Sequence, residues 1–182
     1  PGSQCAESNY NEVWWDTYCE KRGARGRKSI CSSGAIHQGL DIRGGTPATC
    51  RQFEQQGKTS IKIVAVYDGK VTRVGRYTVD FDVPRRGYFR YLHLNMKTLE
   101  VNPGSVLKAG DTIGYLDNDF GGEWTTLHLH LEHHLAFPNK GVVAAPLYCD
   151  MVLAYERATG KQAVMAGGGQ RCDGGAGGPA AP

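Results

Sequence analysis

Leu127-His128-Leu129-His130-Leu131-Glu132-His133-His134 decides the fold, because two periodicities compete in it. Read as a helix, His130 and His134 share a face in the manner of His-x-x-x-His zinc sites. The leucines at 127, 129, 131 and 135 recur every second residue, however, and a helix would scatter them around its circumference. Read as a strand, those leucines and His133 line one face, while His128, His130, Glu132 and His134 line the other. The strand reading prevails, and it makes the preceding sequence legible as a sheet. IKIVAVY (61–67) is short and β-branched, and Asp68-Gly69 followed by KVTRV (70–74) is a hairpin signal. YTVDFDV (77–83) alternates, PRRG (84–87) supplies a turn, YFRYLHL (88–94) continues, and Asn102-Pro103-Gly104 and Gly110-Asp111 punctuate the approach to a strand at 112–116. Many short strands with tight turns predict a mainly β domain, an antiparallel sheet folded as a sandwich or open barrel, with short flanking helices.

The 182 residues, 40% of them hydrophobic, suffice for one such domain. Lys and Arg total 21 against 18 Asp and Glu, a net charge of +3 that is too small to indicate a nucleic-acid partner. No apolar run is long enough to span a membrane. The chain opens Pro1-Gly2-Ser3, with neither an initiator Met nor a basic-then-apolar leader, so any targeting segment is expected to have been removed. Six cysteines stand at 5, 19, 31, 50, 149 and 172, with no Cys-x-x-Cys pair among them. They read as three disulfides, which implies export from the cytoplasm; six buried thiols in a cytosolic protein are the alternative. Sequence does not choose the pairing, although Cys149 is the nearest candidate for Cys172.

Four segments are expected: an N-terminal extension packed on the core (1–34), the β domain (35–145), a C-terminal helix (146–165) and a flexible Gly/Ala/Pro tail (166–182). Within the extension, Val13, Trp14, Trp15 and Tyr18 suggest a short helix between Ser8 and Arg22. Lys21 to Lys28 reads as a solvated basic loop. Pro146 is placed at N1 of the C-terminal helix, with Leu147, Met151, Ala154 and Tyr155 along one face.

Four of the six histidines fall in the quoted stretch. Imidazoles at i and i+2 on one strand face stand roughly 7 Å apart at their Cα atoms, so one can hold a metal while the other reaches a water beside it. His-x-His alone is a weak signal, and His133 and His134 are expected to pack at the sheet edge or face solvent. Far upstream, His37 and Asp41 would be ~13 Å apart if fully extended. Gly39 permits a bend that brings them together. One imidazole and one carboxylate suit zinc, and a third ligand from His130 leaves a position open. By itself, His-x-x-x-Asp reads equally well as a loop histidine with an Asp capping a turn. His93 shares a strand face with Phe89 and Tyr91, where a lone histidine is usually a hydrogen-bonded core residue.

Taken in order, HQGLDIRGGTPA (37–48), VAVYDGKVTRVG (64–75), YLHL (91–94), GSVLKAGDTIGYLD (104–117) and HLHLE (128–132) resemble the lysostaphin-like zinc metallopeptidases, peptidase family M23. The resemblance covers residues 35–136. It implies a zinc ion (Zn2+) held by His37, Asp41 and His130, with His93 and His128 as catalytic histidines flanking the open position. Glu132 is a rival general base, one step further from the metal. The implied activity is hydrolysis of peptide bonds in bacterial peptidoglycan by a secreted or periplasmic enzyme, taken as a monomer, with the wall peptide as its partner. Residues 49–62 (TCRQFEQQGKTSIK) depart from the family pattern as an insertion, and Gly121 to Thr126 places Trp124 where a small loop is usual. Two other readings compete. One is a non-catalytic regulator or wall-binding module on the same fold. The other is a lipoyl-type carrier using Lys97, which would need neither the His-Asp-His set nor disulfides.

Overall fold

The computed structural model describes residues 3–20, 36–166 and 172. In chain order the strands are β1 (Val13–Trp14), β2 (Gly39–Ile42), β3 (Lys62–Val64), β4 (Gly69–Val74), β5 (Thr78–Val83), β6 (Gly87–Leu92) and β7 (Val106–Leu107). They continue with β8 (Thr112–Tyr115), β9 (Asp119–Phe120), β10 (Glu123–Trp124), β11 (Leu129–Phe137), β12 (Gly141–Ala145) and β13 (Val164–Met165). Two α-helices, α1 (Pro47–Gln56) and α2 (Tyr148–Thr159), flank the sheets.

The period-two stretch forms β11, which is the hub of a seven-stranded antiparallel sheet running β12-β11-β6-β5-β4-β7. One edge of β11 pairs with β6; the other is shared, with β2 along Leu129–Glu132 and β12 along His133–Phe137. A second sheet, β3-β8, lies across the same core: Ile63 and Ile113 join Val71, Val79, Phe81, Tyr91 and Leu131 in one buried cluster. The mainly β architecture, built on a many-stranded antiparallel sheet with short flanking helices, is the one expected.

The hairpin expected at Asp68-Gly69 does not form. β3 crosses to β8, while β4 pairs with β5 and β7, so Asp68-Gly69 is a corner between sheets. Asp68 accepts from Ala109 N–H (2.9 Å) and Lys108 Nζ (3.0 Å), tying that corner to the β7–β8 turn. Gly69 is needed for close approach, since a Cβ there would strike the Asp82 carbonyl and the Phe81 ring.

No helix forms in the described part of the extension. Glu7–Asn9 is one 3-10 turn and β1 pairs in parallel with β13. The aromatics serve distant partners instead: Trp14 packs on Tyr155 of α2 with ring centroids 5.4 Å apart, and Tyr148 Oη donates to the Trp14 carbonyl. The basic stretch at 21–28 and the tail beyond 166, apart from Cys172, lie outside the described residues. The C-terminal helix starts at Tyr148, with Pro146 two residues before it.

The insertion opens with helix α1, which sequence reading did not anticipate. Thr46 caps it reciprocally with Thr49, Pro47 takes the first turn, and left-handed Gly57 ends it. Cys50 in α1 is bonded to Cys5, closing a loop of 45 residues, and Cys149 is bonded to Cys172. Closing a loop of that length removes about 4 kcal/mol of chain entropy from the unfolded state. Cys19 is disulfide-bonded as well, and no free cysteine occurs among the described residues; Cys31 lies outside them. Among the described residues no helix is long and apolar enough to cross a membrane.

Gly39 is an extended residue of β2 and has no left-handed backbone, so it does not supply the bend that was expected of it. Its role is steric. A Cβ at 39 would strike the Leu131 carbonyl and come within 2.8 Å of His130 Nε2. Gly39→Ala is therefore expected to push β2 off β11 and cost about 2 kcal/mol, read as a lowered denaturant midpoint; an unchanged midpoint would show that the two strands can separate freely.

Candidate metal centre

The β2–β11 register places Asp41 opposite His130, and the β11–β6 register places His130 opposite Leu92, next to His93. His37 enters from the segment before β2. His37 Nε2, Asp41 Oδ1 and His130 Nδ1 form a nearly equilateral triangle with sides of 2.7, 2.9 and 2.9 Å. Donors in a tetrahedral zinc site stand about 3.3 Å apart. The triangle would need to open by roughly 0.5 Å to take the ion, well within side-chain freedom.

Proton bookkeeping on the histidines points the same way. His37 Nδ1–H donates to the Thr17 carbonyl (2.7 Å), leaving Nε2 with its lone pair facing Asp41 and His130. His130 Nε2–H donates to Glu132 Oε1 (3.2 Å), leaving Nδ1 turned inward. Two imidazole lone pairs and a carboxylate thus converge with no neutral donor among them, an arrangement that only a cation satisfies. Without a metal, a proton serves. Burial favours neutral His130, but hydrogen bonds to Asp41 and Glu132 outweigh it and raise its pKa to about 9. Burial likewise pushes the Asp41 carboxyl up, while the imidazoles of His128, His130 and His37 against it hold it far below the usual carboxylate range.

Glu132 sits behind His130, away from the triangle. It bonds His130 Nε2 and, through Oε2, His134 Nε2 (2.6 Å), with Arg90 Nη1 at 3.7 Å. Its carboxyl, which burial alone would push up, is pulled down to about 2 by the two histidines. That position orients a ligand rather than reaching a substrate, so Glu132 is misplaced as a general base. Glu132→Gln keeps the shape but weakens this hold, and zinc affinity in a competitive chelator titration is expected to fall about 10–100-fold; an undiminished affinity would remove Glu132 from the site. His134, expected at an edge or in solvent, is buried and stacks on Tyr88; His133 stacks on Phe89.

His93 does not share the face of Phe89 and Tyr91. β6 ends at Leu92, and His93 has φ 63°, a left-handed backbone that is uncommon for any residue but glycine. The turn swings its ring to 4.6 Å from that of His128 and 6.3 Å from that of His130, measured between centroids. Its Nδ1–H donates to the Asp119 carbonyl (3.0 Å), and burial lowers its pKa to about 4, with that hydrogen bond opposing. His128 Nδ1–H donates to the Thr126 carbonyl (2.7 Å), and its Nε2 lies 3.4 Å from Asp41 Oδ1. The five residues singled out in the sequence are therefore gathered in one place.

Sequence reading missed Thr17. Its carbonyl fixes the tautomer of His37, and its Oγ1 accepts from Asp41 N–H (3.0 Å). The extension is thus part of the centre, held by the Cys5–Cys50 bond at one end and by Cys19 N–H to the His37 carbonyl at the other. Between the extension, β2 and α2 runs a groove of about 820 Å³ that ends on Asp41 and His128. Of the two aromatics in the β9–β10 hairpin, Phe120 lies against His93, at 5.5 Å between centroids, whereas Trp124 is 80% exposed.

No family profile matches the chain, and no curated protein sequence does. Solved structures similar to it include the catalytic domain of the antimicrobial peptidase lysostaphin from Staphylococcus simulans, 20% identical, covering 71% of this chain and 89% of that one at a TM-score of 0.47. The catalytic domain of the prophage-encoded protein EnpA from Enterococcus faecalis is 22% identical, with coverages of 70% and 87% and a TM-score of 0.42. CbpA of L. salivarius REN is 22% identical, with coverages of 79% and 92% and a TM-score of 0.46.

Proposed function

We propose that this chain is an exported zinc metalloendopeptidase that hydrolyses peptide bonds of bacterial peptidoglycan, in the cross-link or the stem. The observation that carries the reading is the inward convergence of His37 Nε2, Asp41 Oδ1 and His130 Nδ1, with two further imidazoles beside them. The wall peptide as substrate rests on the five sequence blocks, and export on the disulfides.

His37, Asp41 and His130 would hold the ion, with His93 and His128 beside them. Bound there, zinc supplies a Lewis acid that acidifies a water molecule and polarises a carbonyl. His93 and His128 each commit Nδ1–H to a backbone carbonyl, so in the neutral ring the lone pair of each is on Nε2. Either can take the proton of the attacking water at Nε2 and, as the imidazolium so formed, stabilise charge developing on the carbonyl oxygen before delivering that same proton to the departing amine. Thr17 and Glu132 orient the ligands, and the groove beside α2 receives the chain on one side of the scissile bond.

The test is digestion of purified wall, scored as new amine termini. Release should require bound zinc, stop with a chelator and return when zinc is restored. Full activity without metal would overturn the metallopeptidase. No new termini from protein carrying one zinc per chain would favour the regulator or wall-binding module.

A further inference from the structure

Asp80, Arg90 and Glu132 stand in one row across three strands. Asp80 of β5 pairs with Arg90 of β6, and Arg90 pairs with Glu132 of β11. Arg73 of β4 adjoins Asp80 at one end of the row, and Gly39 of β2 adjoins Glu132 at the other. The row thus alternates in charge from Arg73 to Glu132 and closes on a residue without a side chain. Its contacts follow the alternation. Arg90 forks onto both oxygens of Asp80, with Nη2 at 2.9 Å from Oδ2, and Arg73 Nε donates to Asp80 Oδ2 at 3.1 Å. On the other side, Arg90 Nη1 lies 3.7 Å from Glu132 Oε2. The metal ligands occupy the neighbouring row of the same face, two residues along, where His130 pairs with Asp41 and with Leu92. Glu132 reaches from its own row into that one to accept from His130 Nε2–H.

Stability alone is a weak reason for such a row. Val79, Tyr91 and Leu131, the alternate residues of the same strands, face the hydrophobic core, yet Asp80, Arg90 and Glu132 are buried as well. Taking ions out of water is costly, and a buried ion row is often no more stable than apolar side chains of the same volume. What distinguishes this row is its end point, a metal ligand.

We infer that Arg90 is a positioning residue for the metal centre: clamped by Asp80, it holds the Glu132 carboxylate against His130, so that His130 presents Nδ1 to the ion. The inference rests on the proposed zinc site. Glu132 is shared between two imidazoles, His130 and His134, which carry charge only when protonated. A guanidinium is charged throughout, so Arg90 supplies a countercharge that does not come and go. The fork fixes its plane, and the Tyr88 ring, stacked on His134, lies 5.5 Å from the guanidinium carbon.

The test is a double-mutant cycle on zinc affinity, read by competitive chelator titration of the full chain, with circular dichroism as the control for folding. Arg90→Gln should lower the affinity about tenfold while Glu132 is present, and by less than about twofold in the Glu132→Gln background. Arg90→Lys keeps the charge without the fork and should recover part of the loss. Zinc affinity untouched by Arg90→Gln overturns the inference, whatever happens to the thermal midpoint. An equal loss in both backgrounds overturns it too, because Arg90 would then act on the fold and not through Glu132. If Arg90→Gln fails to fold, the same cycle with Arg90→Lys decides, the expected result being a smaller loss that again disappears without the carboxylate. Unmodified protein that takes up no zinc would defeat the metal centre itself, and the positioning role with it.

Discussion

Alanine in place of His37 or Asp41 leaves a folded protein that no longer retains zinc; that is the expected result of greatest effect. Structural zinc sites bind with about 10–16 kcal/mol shared among four ligands, so losing one costs about 3 kcal/mol or more, at least ~100-fold in affinity. Asp41→Ala should be the worse of the two. It removes the only negative charge in the triangle and leaves three imidazoles facing one another. Folding should survive in both, because β2 keeps its ladder to β11 and the Cys5–Cys50 bond is untouched. Metal content after dialysis against a chelator, with circular dichroism as the control for folding, reads the outcome. A folded Asp41→Ala protein carrying one zinc per chain would remove this triangle from the function.

The same triangle sets a pH dependence. In the metal-free protein His130 keeps its proton until pH approaches about 9, well above its ordinary 6.5. A group raised in the folded state stabilises fully below its unfolded value, and that stabilisation is lost as pH rises through the folded value. The metal-free protein should thus lose stability between pH 6.5 and about 9. Zinc must displace that proton, so its affinity rises with pH, by up to about tenfold per unit, across the same window. Thermal melts at either end, with and without zinc, should show the stabilisation by metal widening toward the alkaline side.

The sheet was legible because a period of two is hard to counterfeit: the leucines of β11 admit one face, and that face fixes where its histidines point. The five polar residues came from the resemblance of the five sequence blocks, since spacing alone left each of them ambiguous. What stayed hidden depends on partners remote in sequence. Asp68-Gly69 reads as a hairpin by local rules, yet the edges of β4 are taken by β5 and β7, which no local signal foretells. The aromatics of the extension suggested a helix because their partners, in α2, lie more than a hundred residues away. Helix α1 did carry signals, Thr46 before Pro47 and Gly57 at its end, but its capping partner is Thr49 rather than the Glu or Gln of the usual box. Thr17 acts on His37 through a backbone carbonyl, which every residue type has, so nothing in its side chain could announce it. The left-handed turn at His93 is hidden too, because the residue is not the glycine that marks such turns.

That turn shapes the second large prediction, loss of turnover without loss of zinc when His93 or His128 is replaced. Neither ring belongs to the triangle, and each gives its Nδ1–H to a carbonyl, which puts the lone pair of the neutral ring on Nε2. Removing a general acid–base group of this kind typically costs 10²–10⁴ in rate, so kcat should fall by about that factor while metal content stays at one per chain. For His93 the informative substitution is Asn. Alanine at a left-handed position adds a backbone penalty of about 1 kcal/mol, which would blur chemistry with folding, whereas Asn tolerates that conformation. The rings stand 4.6 Å apart and serve the same transferred proton, so their losses should not multiply. A double variant no slower than the worse single one is expected; full multiplication of the two losses would show that they act in separate steps. His93→Asn with undiminished kcat would leave His128 as the sole base and reduce the left-handed turn to a structural corner.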